Sequence, residues 1–274
     1  MTAAQSRSEI VDLLSRHGLE PRKHLGQHFL ADRNIVDKIV RLADVSSGDR
    51  VVEIGAGTGT LTRALWEAGA RVVTFEIDER LRSVLGESLR GTDVDVRYAD
   101  AAGADISEQL DEGRWTLVAN LPYNVGTPLV LDLLRDATAI ERFVVMLQRE
   151  VADRLCAAPG SAAYGLPSVR AALRATAKRA FVVPSQVFVP APEVESAVVV
   201  LDRVEQPAHA DRAEAIAAIA FGQRRKMLRR SLAGTSTDID AALRSAGVDP
   251  AARPEQLGVA EWIAVATALP GDVE

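Results

Sequence analysis

Short apolar runs and amphipathic stretches alternate through the first half of the chain. Arg50-Val51-Val52-Glu53-Ile54 is almost wholly apolar and runs into glycines, the pattern of a parallel strand buried on both faces. Comparable runs recur at 71–77, 94–98, 115–119 and 143–147. Between them, residues 61–68, 79–89 and 128–135 carry helical periodicity. Two helices are predicted ahead of the first strand, at 8–17 and at 32–43, the second with Asp32 as its N-cap. Regular alternation of this kind predicts an α/β fold, a doubly wound, Rossmann-like sheet with helices on both faces.

The pattern changes after residue 150. Residues 167–178 read as helix, then 180–183 and 196–203 as strands. Pro184, Pro190 and Pro192 lie between those strands and suit a hairpin-like or edge connection. A polar linker over 204–211 contains Pro207, and the sequence beyond it is alanine-rich and helical. A boundary is therefore expected near 205, with a large domain over 1–205 and a smaller all-helical one over 206–274.

Composition narrows the class. With 274 residues, 47% of them hydrophobic, the chain can bury a substantial core. Its formal net charge of -6 excludes a uniformly basic nucleic-acid binder. Charge is segregated, however. Residues 76–112 hold eleven acids and four bases, whereas 154–192 and 215–237 hold no acid at all. Cys156 is the single cysteine, so no intrachain disulfide and no cysteine-rich zinc module is expected, and no other metal site is predicted. The polar start lacks an apolar signal core, and no apolar run approaches a membrane span. A soluble, cytoplasmic protein is the expectation.

Two motifs carry chemistry. Gly55-Ala56-Gly57-Thr58-Gly59 follows a strand and precedes a helix, where glycines allow a sharp turn and close approach of a ligand. The dinucleotide fingerprint would need glycine at position 60, where Thr60 stands. The tighter spacing suits a nucleoside cofactor without phosphates, such as S-adenosylmethionine. Glu76 and Asp100, at the ends of the next two strands, are placed to meet a ribose and an adenine amino group.

The second motif is Asn120-Leu121-Pro122-Tyr123, at the end of the fourth strand. The Asn120 amide oxygen and the Leu121 carbonyl can accept both hydrogens of an exocyclic amine. Pro122 restrains the chain there, and Tyr123 can stack on a flat base. Phe188 is placed to close the base's other face. Hydrogen bonds of this kind favour a pyramidal nitrogen and stabilise the positive charge that builds on it during alkylation. Such a pocket admits only an unpaired or flipped base.

Together these residues resemble the ribosomal RNA adenine N6-dimethyltransferases, and the similarity spans nearly the whole chain. It includes Leu25-Gly26-Gln27-His28-Phe29-Leu30, Glu53 to Gly59, Phe75-Glu76-Ile77-Asp78, Asn120 to Tyr123, Gln148-Arg149-Glu150-Val151, Tyr164-Gly165, Val187 to Val198 and Phe221-Gly222-Gln223-Arg224-Arg225-Lys226. The resemblance implies a class I S-adenosylmethionine-dependent methyltransferase sheet with a small helical C-terminal domain. It implies that Gln27, His28 and Leu30 approach the methionine end of the cofactor, with Gly55, Gly57, Glu76, Ile77, Asp100 and Asn120 completing the site. Its substrate would be two adjacent adenines in a hairpin loop near the 3′ end of 16S ribosomal RNA, within the small subunit or its precursor. The Arg-Arg-Lys block favours that branch over the large-subunit (23S) methylases that confer macrolide resistance. A non-catalytic assembly factor on the same fold is the remaining alternative. The family usually carries asparagine where this chain has His28, though an imidazole still donates a hydrogen bond.

Three cationic groups are candidate RNA contacts. Arg22 and Lys23 stand near the cofactor motif. Arg170, Arg174 and Lys178 recur every fourth residue and would share one helical face. Arg224, Arg225, Lys226, Arg229 and Arg230 would form a second stripe. A monomer is expected.

Overall fold

The computed structural model describes residues 4–101, 103, 106–123 and 125–269. Their contacts divide the chain into two compact units, 1–152 with 178–203, and 153–177 with 204–274. Residues 153–177 thus leave the unit in which the sequence pattern places them.

In the first unit, α1 (Arg7–Arg16) leads through a short turn to β1 (Phe29–Leu30) and α2 (Arg33–Ala43). Asp32 caps α2, accepting from the Ile35 N–H at 3.0 Å. The alternation then runs β2 (Arg50–Ile54), α3 (Thr60–Glu67), β3 (Arg71–Glu76), α4 (Arg82–Ser88), β4 (Asp95–Tyr98), α5 (Ile106–Gln109), β5 (Trp115–Asn120), α6 (Gly126–Asp136) and β6 (Ile140–Gln148). After α7 (Arg149–Leu155) and α8 (Leu166–Ala172) come β7 (Ala175–Val183), β8 (Phe188–Val189) and β9 (Ser196–Arg203).

Among the described residues the main sheet has the order β4-β3-β2-β5-β6-β9-β7. Strands β4 through β6 are parallel, and β9 is antiparallel to β6. Strand order reverses between β2 and β5, which opens a crevice at their carboxyl ends, where open α/β sheets bind ligands. The central strands are buried on both faces, as their apolar runs require. Val51, Val118 and Val144 pack with Ile35, Ile39 and Leu65 of the flanking helices. A second cluster gathers Ile10, Leu13 and Leu14 of α1 with Phe29, Ala56 and Val189. β1 and β8 form their own two-stranded pair, with Leu30 opposite Phe188.

The second unit adds α9 (Ala210–Gly222), α10 (Leu228–Ser231), α11 (Ile239–Ser245) and α12 (Val259–Ala268). Its core holds Tyr164, Val169, Ile216, Ala220, Leu243 and Trp262. The Tyr164 hydroxyl donates to the Leu257 carbonyl at 2.7 Å, and this binds residues 153–177 to the C-terminal helices. No helix of the described residues is long and apolar enough to cross a membrane.

Helix is replaced by strand at one predicted site. Residues 167–178 divide into α8, which ends at Ala172, and β7, which starts at Ala175. Alanine favours helix, but pairing at the sheet edge overrides that local preference.

Candidate active site

Three glycines turn the chain between β2 and α3 with positive φ, +83° at Gly55, +57° at Gly57 and +83° at Gly59. Side chains would be strained there. A Cβ on Gly57 would also meet the Phe29 ring at 3.0 Å. The turn is pinned by Glu76, which is buried at the end of β3. One carboxylate oxygen accepts from the Gly57 N–H at 2.8 Å, the other from the Asp78 N–H at 2.9 Å. Burial raises the Glu76 pKa, against the lowering effect of those two N–H groups.

Beneath the turn lies Glu53, wholly buried on β2. Thr62 and Thr74 donate to the same carboxylate oxygen at 2.5 and 2.7 Å. The β2–β3 register sets Thr74 directly beside it. Burial pushes the Glu53 carboxyl up to about 7, despite the two threonine hydroxyls. Asp78 goes the other way. Burial raises it, but the Arg80 guanidinium and the Gln27 amide outweigh that and hold its pKa below the usual range.

A cleft runs along these strand ends. It is bordered by Gly55, Gly57, Glu76 and Ile77 on one side and Asn120, Leu121, Pro122 and Tyr123 on the other. Gln27, His28 and Leu30 border it too. Asp100 stands instead at an adjoining apolar slot between Ile54, Phe75, Ile77 and Leu129. Ile77 is 48% exposed and borders both spaces. The arrangement fits S-adenosylmethionine. Glu76 still has lone pairs for ribose hydroxyls, and the slot offers apolar walls and one carboxylate to an adenine.

Asn120 has a defined orientation. Its Nδ2 donates to the His28 carbonyl at 3.0 Å, and a carbonyl can only accept, so the amide oxygen is the atom left for a ligand. The Leu121 side chain is buried, and its N–H donates to the Met146 carbonyl at 3.2 Å. Among the described residues nothing donates to the Leu121 carbonyl oxygen, whereas the Pro122 carbonyl accepts from Val125 and Gly126. Tyr123 is held at its far end by the Ser196 hydroxyl, 2.7 Å away. The His28 ring stacks beside it, 5.5 Å between centroids. His28 Nδ1–H donates to the Pro190 carbonyl at 2.8 Å. Gln27 borders the cleft with its amide already engaged, by Asp78 and by the Arg22 N–H.

Phe188 departs from expectation. Its ring is 0% exposed and belongs to the core beneath the sheet, because pairing of β8 with β1 turns it inward. It does not border the cleft, so it forms no second wall for a base in this structure.

The cationic groups also divide. Arg174 is buried and bridges Asp211 and Glu214, both at 2.6 Å, so it is a structural tie and not an RNA contact. Arg170 pairs with Glu214 at 2.9 Å. Lys178 is exposed but lies on β7, so these three share no helical face. The second stripe is broken as well, since α9 ends at Gly222. Arg224, Arg225 and Lys226 occupy the exposed turn before α10, which carries Arg229 and Arg230. Arg224 is 3.8 Å from Glu255. Lys23 is exposed, and Arg22 lies 3.8 Å from Asp78.

The sequence reading assigned no individual role to Glu53, Asp78, Gln5 or Arg7. Glu53 stands in an apolar run, where an acid is itself a signal, and Asp78 follows Glu76 at the end of β3. Gln5 and Arg7 carry none.

A glycine turn, a buried acid that pins it and an oriented amide at adjacent strand ends define a class I S-adenosylmethionine-dependent methyltransferase. The family model for ribosomal RNA adenine dimethylase matches residues 18–270, and the chain belongs to that family. It is 45% identical to ribosomal RNA small subunit methyltransferase A of Kineococcus radiotolerans, over 99% of this chain and 93% of that one. Identity to the protein of that name from Phenylobacterium zucineum is 47%, over 94% and 91%. Among solved structures, the 23S rRNA methyltransferase ErmE matches with TM-score 0.70 and 26% identity, over 88% of this chain and 99% of that one. A dimethyladenosine transferase from Plasmodium falciparum shares the fold, with TM-score 0.72 and 24% identity, over 87% and 96%.

Proposed function

We propose that this chain dimethylates N6 of two adjacent adenines in a hairpin loop near the 3′ end of 16S ribosomal RNA, on the small subunit or its precursor. It works as a cytoplasmic monomer. The observation that carries this reading is the fixed Asn120 amide beside a Leu121 carbonyl that no described residue engages, at the end of the strand next to the glycine turn.

S-adenosylmethionine, when bound, supplies an electrophilic methyl group. Glu76, Ile77, Asp100 and the glycine turn would hold it. The protein's task toward the RNA is to present an amine whose lone pair is ordinarily delocalised into the ring. Asn120 Oδ1 and the Leu121 carbonyl accept the two N6 hydrogens, which favours a pyramidal nitrogen and offsets its developing positive charge. Tyr123 supports the base, and the target adenine must leave any stack to reach it. No buried general base is needed, because an alkylated ammonium is acidic enough to release its proton to water. Most of the acceleration is positional.

Exposed Lys23, Arg225, Lys226, Arg229 and Arg230 suit phosphate contact. The names of the relatives at 45% and 47% identity support the small-subunit substrate. Incubation with labelled S-adenosylmethionine and unmodified 30S particles should yield dimethyladenosine at two neighbouring positions of 16S RNA. Label confined to 23S RNA in a parallel incubation with 50S particles would refute the assignment. Asn120→Ala should abolish transfer while leaving particle binding intact, and transfer at the native rate would refute the mechanism.

A further inference from the structure

The family match begins at residue 18, yet the segment before it touches both the glycine turn and the connection that carries β8. Gln5 reaches the glycine turn. Its Nε2 donates to the Thr58 carbonyl at 3.2 Å, and its Oε1 accepts from the Thr60 hydroxyl at 2.7 Å. Thr58 and Thr60 both border the cleft. Two residues on, Arg7 reaches the opposite loop, where Nη2 donates to the Gln186 and Phe188 carbonyls at 2.7 and 2.8 Å.

The platform carrying these side chains is firm. Ser6 and Glu9 form a capping box at the start of α1. Ile10, Leu13 and Leu14 are buried with Phe29, Ala56 and Val189. From β8 the contacts continue inward, since the Pro190 carbonyl accepts from His28, and the His28 carbonyl accepts from Asn120. A continuous series of contacts therefore runs from the glycine turn, through α1 and β8, to the amide that faces the substrate.

We propose that Gln5 and Arg7 are positioning residues for methyl transfer. Gln5 pre-orders the cofactor turn, and Arg7 sets β8 and, through it, the loop behind Asn120. A glycine-rich turn has much conformational freedom to lose, and bonds that order it beforehand reduce the cost of binding. The inference rests on reading the cleft as the cofactor site, not on which RNA is methylated.

Calorimetric titration of the full chain with S-adenosylhomocysteine tests the first half. Gln5→Ala loses both hydrogen bonds to the turn and should weaken binding at least about fivefold. Gln5→Glu keeps the acceptor for Thr60 but points a carboxylate at the Thr58 carbonyl, and should bind more weakly still. A space-filling role would make glutamate as good as glutamine, so native affinity in Gln5→Glu overturns the proposal. For Arg7→Ala, kcat should fall about fivefold with cofactor affinity near native, and Arg7→Lys should restore part of it. A lowered Tm with unchanged affinity and kcat in all variants also overturns it. Native chain that binds cofactor but leaves small-subunit RNA unmodified would sink the function proposed above and leave the cofactor-binding test of Gln5 intact.

Discussion

Glu53 is an acid in the middle of a buried strand, and its place there has a measurable consequence. Unfolded, a glutamate titrates near 4.3; in the fold, burial pushes Glu53 up to about 7. The native state therefore binds its proton more tightly than the unfolded state does. The stability this gives is full below the unfolded value and declines as pH rises through 7. Above that, the ionised and desolvated carboxylate costs up to about 4 kcal/mol. Glu53→Gln should flatten this part of the profile, with urea unfolding at pH 5 and pH 8 as the measurement. An unchanged difference between the two pH values would show that Glu53 does not titrate in this range. Asn120 gives the contrasting case. Its value to the site was legible from its place after an apolar strand, but its orientation was not, because the His28 carbonyl that fixes it lies 92 residues away in sequence.

At the scale of elements, the parallel strands and glycine turn were legible because burial on both faces leaves no polar alternation. Residues 167–178 were not, since an alanine-rich run cannot reveal that a sheet edge waits for its second half. Charge misled in a similar way. Arg170 and Arg174 sit in a stretch without acids, yet Asp211 and Glu214 of α9 neutralise them across the fold. The basic stripe was misread too, since α9 ends at Gly222 and the arginines fall in the turn beyond it. These placements predict opposite phenotypes for two arginines. Arg174→Ala removes a buried guanidinium and leaves the largely buried Glu214 with Arg170 alone, and should destabilise the protein by about 3 kcal/mol in denaturant titration. Arg225→Ala, at an exposed turn, should leave stability within about 0.5 kcal/mol and weaken RNA binding instead. Equal stability losses in the two variants would refute the distinction.

Taken whole, the chain carries a net charge of -6 and must still bind a polyanion. Long-range attraction cannot supply that, so binding must come from short-range pairing of phosphates with local cationic surface. Each such pairing releases counterions, which makes affinity fall steeply with salt. Arg225, Lys226, Arg229 and Arg230 concentrate that surface on one turn and the short helix after it. Replacing all four with glutamine should lower the slope of log affinity against log salt by about 4, roughly one for each lost contact. The measurement is filter binding to unmodified 30S particles between 50 and 200 mM salt, near neutral pH, with cofactor binding followed in parallel. Cofactor affinity should not change, because the cleft is bordered by other residues, all between Leu25 and Tyr123. A slope that stays at the native value would show that phosphate recognition lies elsewhere, and would return Lys23 and Lys178 to first place among the candidates.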